Sequence, residues 1–426
     1  MTLVARHGHV ASLEAVGYQD LESKTPMRTD TIVRLASVTK PVTCAGIMIL
    51  VDEGRLSLID PVEKFLPEFK GLKLNPCGTR SGYNCELVAP SRPVNLIDLM
   101  THTSGLADGA GGRGTPPNTL AERVALAGRG ALIFEPGTAW NYSNLGIAAL
   151  GRIIEVVTGQ PYDRFLAERI FQPLGMNDTF FFVPPDKAKR VASVYRYETD
   201  GLKLVPMAEP KFPAPEGGLF STAGDMARFH EMLLEKGTLN GQRILSAAGV
   251  EEMTSSHTGT MKAGFAPGVG HGFGFEVVRE TLGTFRYNSI GSFVKGGAYR
   301  TYAWVDPAKD MVGIILMQRT NGGGDVADEI NSFMAMAAAA IEDSSFEVNS
   351  RFRTMLRSRT KYDVLVYHEG STPSCVVVFT CFGTGNGSKR VRPKCSGHQE
   401  LDRRGRSPEH DGSARHQGAP SGSERK

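Results

Sequence analysis

Three features of the sequence predict an α+β protein built around an antiparallel sheet. Strand patterns occur at the start of the chain and again beyond Gly272, helical patterns dominate the stretch between, and an Ala/Met-rich helix, Asp325 to Ile341, follows the last strand. Strands segregated in this way from a run of helices form one sheet with a largely α-helical second subdomain beside it. The sheet part is expected over residues 1–36 and 272–343, and the helical part over 37–271.

Taken in order, residues 2–18 read as two short strands around a turn at His7-Gly8-His9. A helix beginning at Ser37 runs through Ala45, Ile47, Met48, Ile49, Leu50 and Val51 to Glu53-Gly54, where the glycine suits a C-terminal cap. Leu56 to Asp60-Pro61 turns the chain into a short helix ending at Leu66-Pro67, and Gly71 to Arg92 reads as an inserted, exposed loop. Val94 to Met100 is helical and closes in the polar turn Thr101-His-Thr-Ser-Gly105-Leu. A Gly-rich, mobile stretch covers Asp108 to Asn118. Helices follow Tyr142-Ser143-Asn144 and span Tyr162 to Ile170, while Pro184-Pro185 opens an irregular stretch reaching Gly217-Gly218. Ser221-Thr222 supplies a hydroxyl cap for a helix to Lys236, and Leu245 to Thr254 forms another. Strands are expected at Phe273 to Arg279, Thr284 to Tyr287, Tyr299 to Asp306 and Met311 to Gln318.

Composition bounds the function. The chain has 426 residues, 41% of them hydrophobic and 8% aromatic, as befits a globular protein with a substantial core. No apolar run approaches the roughly 20 residues of a membrane-spanning helix, and the first residues lack the apolar core of a signal peptide. A soluble protein is expected, with a cytoplasmic location favoured and an extracytoplasmic one open if the chain is cut at its start. The net charge of +3 is uneven: residues 344–426 carry 15 Lys and Arg against 8 Asp and Glu, leaving the body mildly acidic. No nucleic-acid partner is expected. Cys44 reads as a small core residue, whereas Cys77 and Cys85 bracket a loop and could pair in an oxidising compartment. No zinc-ligand spacing is present, and no metal or cofactor is expected.

The chemistry is carried by Ser37-Val-Thr-Lys40. Residues three apart share a helical face, so the Lys40 amine can reach the Ser37 hydroxyl. That hydroxyl is a poor nucleophile without a base, and a lysine serves as one only when burial or another cation lowers its pKa. On its own the motif describes an ordinary capped helix with an exposed lysine at least as well, and the rest of the chain has to decide. Two further pieces fit the same mechanism: Tyr142-Ser143-Asn144, which puts a phenol and polar partners at a turn into a helix, and Lys295-Gly296-Gly297-Ala298, which puts a cation on a strand beside glycines that admit substrate to the backbone. His102 with Ser104 invites a serine–histidine reading, but the chain has no G-x-S-x-G elbow, and a structural hydrogen-bonding histidine is expected.

With these residues in view, the sequence resembles the serine β-lactamase/penicillin-binding-protein family, and within it the class C-like branch that includes class VIII carboxylesterases and D-aminopeptidase-type enzymes. The resemblance runs from about Leu3 to Ile341. It is extended by Asp98-Leu-Met-Thr-His-Thr-Ser-Gly-Leu, Gln172-Pro-Leu-Gly-Met, Gly217-Gly-Leu-Phe-Ser-Thr-Ala-Gly-Asp-Met and Thr301-Tyr-Ala-Trp-Val-Asp-Pro307. It implies a β-lactamase/transpeptidase-like fold and an acyl-enzyme mechanism. Ser37 matches the acylated serine, Lys40 the lysine that poises the proton network, and Tyr142 the residue acting with it as base and then as acid. Asn144 matches a polar site residue, and the backbone N–H groups of Ser37 and Ala298 match the oxyanion hole, worth about 3–4 kcal/mol per donor.

The departures are informative. Lys295-Gly-Gly keeps the cation of the family's Lys-Thr/Ser-Gly motif but loses the hydroxyl, which favours esters over efficient β-lactam hydrolysis. Lys295 could instead be an ordinary exposed strand lysine. Relatives usually carry a helix before the first strand, where this chain begins. Residues 344–426 match nothing in the family; apart from possible strands at Val364 to Val366 and Cys375 to Phe382, they read as a basic, low-complexity tail expected to be disordered, distinct from the hydrolase domain at 1–343. The function expected is a carboxylesterase acting on small, short-acyl esters with weak β-lactam hydrolysis. A β-lactamase or D-Ala-D-Ala-type peptidase is the same-family alternative, and a non-catalytic binding or scaffold protein with this fold is the third.

Overall fold

The chain begins with a tight hairpin, Thr2–Arg6 (β1) and His9–Glu14 (β2), whose turn residues His7 and Gly8 both take left-handed backbone angles, φ 53° and 70°. Two such residues give a turn whose twist matches that of the flanking strands. The remaining strands of the main sheet are Val269–His271 (β3), Glu276–Val278 (β4), Phe293–Gly297 (β5), Thr301–Asp306 (β6) and Met311–Leu316 (β7). The seven strands are ordered β3-β4-β5-β6-β7-β1-β2, every neighbour antiparallel. The N-terminal hairpin thus completes a sheet made mostly from the far end of the chain, with Leu3 opposite Ile314. The computed structural model describes residues 1–79, 85–108, 116–320 and 326–341.

Strand periodicity sorts side chains onto two faces. Ala303, Val305, Val312, Ile314 and Leu316 enter the main core, whereas Val294, Trp304 and Met311 enter a second one. Trp304 lies over Gly313, its partner on β7, where any side chain would overlap the indole ring. Both faces are covered, which is why Met311–Leu316 is buried at every position.

The longer helices among the described residues are Thr39–Asp52 (α1), Leu96–Met100 (α2), Leu120–Ala125 (α3), Asn144–Thr158 (α4), Tyr162–Leu166 (α5), Ala223–Leu234 (α6), Ala247–Thr254 (α7) and Val326–Ala339 (α8). Helix α6 packs on β1, β6 and β7. On the opposite face α8 contributes Met334 and Ala337, and Phe333 stands edge-on to Trp304 with ring centroids 5.4 Å apart. Helix α1 is buried at every position from Thr39 to Leu50, the signature of a helix running through the centre of a fold. The ends of α4 follow simple chemistry: the Ser143 hydroxyl accepts from the Gly146 amide at 3.1 Å, and Gly159 closes the helix with φ 71°.

Several boundaries differ from the sequence reading. Strand β3 ends at His271, so the sheet begins before residue 272. The expected strand Thr284 to Tyr287 is replaced by a 3₁₀ turn at Gly283–Phe285, and Phe285 enters the second core from that turn. The stretch after Pro184-Pro185 contains a hairpin, Tyr195–Glu198 with Gly201–Leu204, joined in parallel by Arg319–Thr320. Helix α5 passes into a π turn at Ala167–Phe171, and within Ser221-Thr222 it is the Thr222 hydroxyl that caps α6. Cys77 and Cys85 are disulfide-bonded, with Cα atoms 6.1 Å apart. Met1–Glu342 forms one compact unit. The expected tail 344–426, its two strands, and most of the Gly-rich stretch 108–118 lie outside the described residues.

Candidate active site

Ser37 occupies the 3₁₀ turn Ala36–Val38 that leads into α1. Ala36 is held at φ 49°, a left-handed conformation that costs a non-glycine residue energy and persists only where neighbours enforce it. The neighbours here are explicit. Val33–Arg34 pairs with Phe220–Ser221, the Leu35 amide donates to Leu219 O at 2.9 Å, and Thr301 Oγ1 donates to Leu35 O at 2.6 Å. The backbone of Gly297 lies so close that a side chain there would reach 3.2 Å from the Ser37 nitrogen. The end of β5 and the serine turn are therefore packed backbone to backbone.

One turn further on, Lys40 is fully buried, 0% exposed, and its amine meets three oxygens. Ser37 Oγ lies at 3.0 Å, Asn144 Oδ1 at 2.8 Å and the Glu216 carbonyl at 2.5 Å. The Glu216 carbonyl is delivered by a braced loop. Pro215 sits against Gly151 of α4, where a side chain would overlap its ring, and Pro215 O accepts from Thr43 Oγ1 at 2.7 Å. Burial, reinforced by the nearby Lys295 cation, pushes the Lys40 pKa well below that of an ordinary lysine, against the pull of Glu216 and Asp108. A neutral amine has two N–H donors and one lone pair. Asn144 Oδ1 and Glu216 O can only accept, so when Lys40 is neutral they can take both N–H groups, and its lone pair is then left for the Ser37 hydroxyl.

Tyr142 donates its phenol to Ser37 Oγ at 2.8 Å. Burial raises its pKa above that of a free tyrosine, so the phenol keeps its proton. The turn that carries it is fixed by His102, whose carbonyl accepts from the Asn141 amide at 2.9 Å and whose Nδ1 accepts from the Ser143 amide at 3.2 Å. The His102 ring lies 4.5 Å from the Tyr142 ring, and burial keeps the imidazole neutral by lowering its pKa. This is the hydrogen-bonding role expected of His102.

Asn144 does more than line the site. While its Oδ1 meets Lys40, its Nδ2 donates to Asp108 at 2.7 Å, and the same carboxylate accepts from the amides of Asn144 and Leu145 at 2.8 and 3.1 Å. Asp108 thus neutralises the start of α4 and orients the side chain that holds the lysine.

Alternation along β5 turns Lys295 and Gly297 toward Ser37, while Gly296 pairs with Tyr302 and Ala298 follows at the exposed strand end. Lys295 is 1% exposed, not the solvent-facing strand lysine that its sequence also allowed. Its amine lies 4.8 Å from the Tyr142 ring centroid, the same separation as Lys40. Burial lowers its pKa to about 8, against the opposing attraction of Glu276. Of the residues singled out from the sequence, contacts bring Ser37, Lys40, Tyr142, Asn144, Lys295 and Gly297 together, and Gly296 and Ala298 flank Gly297 along the chain. Sequence reasoning missed Asp108, Glu216 and Glu276. Glu216 acts through its carbonyl, which any residue could supply, and the other two lie outside the recognised motifs.

The Beta-lactamase family profile matches residues 1–333. The chain belongs to the Beta-lactamase family. It is 36% identical over 346 residues to Protein Rv1367c of Mycobacterium tuberculosis, covering 75% of this chain and 85% of that one. Esterase EstB of Burkholderia gladioli is 29% identical over 359 residues, with the same shares covered. Among solved structures, EstCE1, described as a hydrolase with promiscuous acyltransferase activity, superposes with a TM-score of 0.66 at 25% identity, covering 78% of this chain and 92% of its own. The family-level resemblance drawn from the motifs therefore holds, as does the β-lactamase/transpeptidase-like fold. The family comprises serine hydrolases, among them esterases and penicillin-binding proteins. No helix among the described residues is long and apolar enough to cross a membrane.

Proposed function

We propose that this protein is a carboxylesterase that acts on small, short-acyl esters through an acyl-enzyme on Ser37. The observation that carries the reading is the contact of the buried Lys40 amine with Ser37 Oγ, Asn144 Oδ1 and the Glu216 carbonyl: as a neutral amine it can give its two N–H groups to the last two and turn its lone pair to the Ser37 hydroxyl. Lys40 takes the hydroxyl proton as Ser37 Oγ attacks the ester carbonyl. The amides of Ser37 and Ala298 stabilise the oxyanion. Tyr142, still protonated, gives its proton to the departing alkoxide, and the proton on Lys40 then restores the phenol. Water replaces the alcohol for deacylation, with Lys40 again as base. Lys295 adds a cation beside the site but no hydroxyl, an arrangement that supports esters over β-lactams. The test is turnover of p-nitrophenyl acetate and butyrate alongside a chromogenic cephalosporin. Ester turnover should dominate and vanish in Ser37→Ala; turnover that survives the substitution removes the assignment, and cephalosporin turnover of equal efficiency replaces esterase by β-lactamase.

A further inference from the structure

Phe265 is 68% exposed, yet its ring centroid lies 5.1 Å from that of Tyr142 and 5.5 Å from that of Trp140, edge-on to both. Single exposed apolar side chains are ordinary on protein surfaces. This one differs in touching the residue whose phenol bonds the Ser37 hydroxyl.

Its position is also built. The Phe265 amide donates to the buried Glu276 carboxylate at 3.2 Å. Gly264 turns the chain with φ 76°, and a side chain there would come within 2.9 Å of Glu276 Oε2. Arg279 donates to the carbonyls of Gly259, of Met261 at 3.3 Å and of Val269 at 2.7 Å, while the His271 amide donates to Thr258 Oγ1 at 3.0 Å. The segment between α7 and β3 is therefore tied to the edge of the sheet along its length, and presents an aromatic face outward beside Tyr142.

We propose that Phe265 and Trp140 form an aromatic wall that binds the alcohol portion of the ester, so that the enzyme selects esters of apolar and aryl-bearing alcohols. The inference rests on the acyl-enzyme reading above. In that reading Tyr142 protonates the departing oxygen, so the alcohol must leave past Tyr142, and the rings flanking Tyr142 are the surface it meets. The acyl group stays on Ser37 when the alcohol leaves, and it is not assigned to this wall.

Two ester series separate the possibilities. Ethyl and 2-phenylethyl acetate have alcohols of similar acidity and differ in the group that would meet the wall; ethyl acetate and ethyl butyrate differ only in the acyl chain. The wild type should prefer 2-phenylethyl over ethyl acetate in kcat/KM. Phe265→Ala should cut that preference about tenfold, in line with the loss of an aromatic contact and its buried area, and Phe265→Trp should restore it. The butyrate-to-acetate ratio should not move. Because Phe265 is exposed, the substitution leaves the core intact, which a thermal midpoint equal to that of the wild type would verify. An unchanged alcohol preference in Phe265→Ala, or a shift in the acyl ratio instead, overturns the inference alone. A wild type that hydrolyses none of these esters overturns the esterase reading and the inference with it.

Discussion

Replacing Lys295 by Met should make the protein more stable, and by an amount that depends on pH. The lysine is 1% exposed, and burial brings its pKa from 10.5 to about 8. At about 1.4 kcal/mol per unit, holding a charged ammonium there costs the folded state about 3 kcal/mol. The sign follows from proton binding. Below about pH 8 both states are protonated and the cost is borne in full. Between about pH 8 and 10.5 the unfolded chain holds the proton while the folded chain releases it, so stability rises with pH and the cost disappears. Methionine keeps the apolar stem and has no charge to desolvate. Its gain is reduced because Glu276, whose carboxylate burial already pushes upward, loses the attraction of the cation. The expected net gain is about 1–3 kcal/mol near pH 7, shrinking toward zero near pH 10.5. Urea unfolding at several pH values measures it. A variant less stable than the wild type at neutral pH, or a gain independent of pH, refutes the reasoning. The same variant should raise KM for carboxylate-bearing esters while leaving neutral esters little affected, since a cation kept at such a cost has a use in the site.

Three further outcomes follow from the geometry. Gly297→Ala should lower kcat/KM at least about a hundredfold, because its methyl group would drive β5 away from the Ser37 amide and spread the oxyanion donors; near-normal steady-state kinetics would mean the two backbones are not coupled. Asp108→Ala should cost about 1–2 kcal/mol in thermal unfolding through the lost cap on α4, and should also lower kcat by releasing Asn144 from its hold on Lys40; a stability loss with kcat intact would confine Asp108 to capping. Ending the chain after Asp343 should leave ester turnover and the thermal midpoint unchanged, because Met1–Glu342 forms one compact unit that contains the whole site; an insoluble or inactive product would show that the remainder packs on the body.

Much of this architecture was legible in the sequence, for identifiable reasons. The Ser37–Lys40 spacing translates directly into contact across one helical turn, and the long strands Thr301–Asp306 and Met311–Leu316 are rich in β-branched, aromatic and other apolar residues. What escaped were short elements whose identity is decided by partners. Val269–His271 has only three residues, one of them glycine, and becomes a strand because Glu276–Val278 lies beside it. The segment around Phe285 has strand-like residues, but Gly283 at φ 52° turns it into a 3₁₀ bend whose phenylalanine fills the second core. In the site, the phenol and amines were visible as side chains, whereas the Glu216 carbonyl that completes the Lys40 environment is backbone and carries no sequence signal. Lys295 illustrates the reverse limit. Its sequence allowed an exposed lysine, and only its placement under the Tyr142 ring makes it a buried cation.

The central claim is that Ser37, activated by a neutral Lys40, becomes covalently acylated. The most direct measurement is the mass of peptides recovered after acid-quenching the enzyme during turnover of p-nitrophenyl butyrate, repeated at a series of pH values. A butyryl adduct is expected on the peptide carrying Ser37, formed faster as pH rises through the lowered Lys40 pKa and absent in Ser37→Ala. An adduct on any other residue, or turnover with no adduct under conditions where deacylation is rate-limiting, would contradict it.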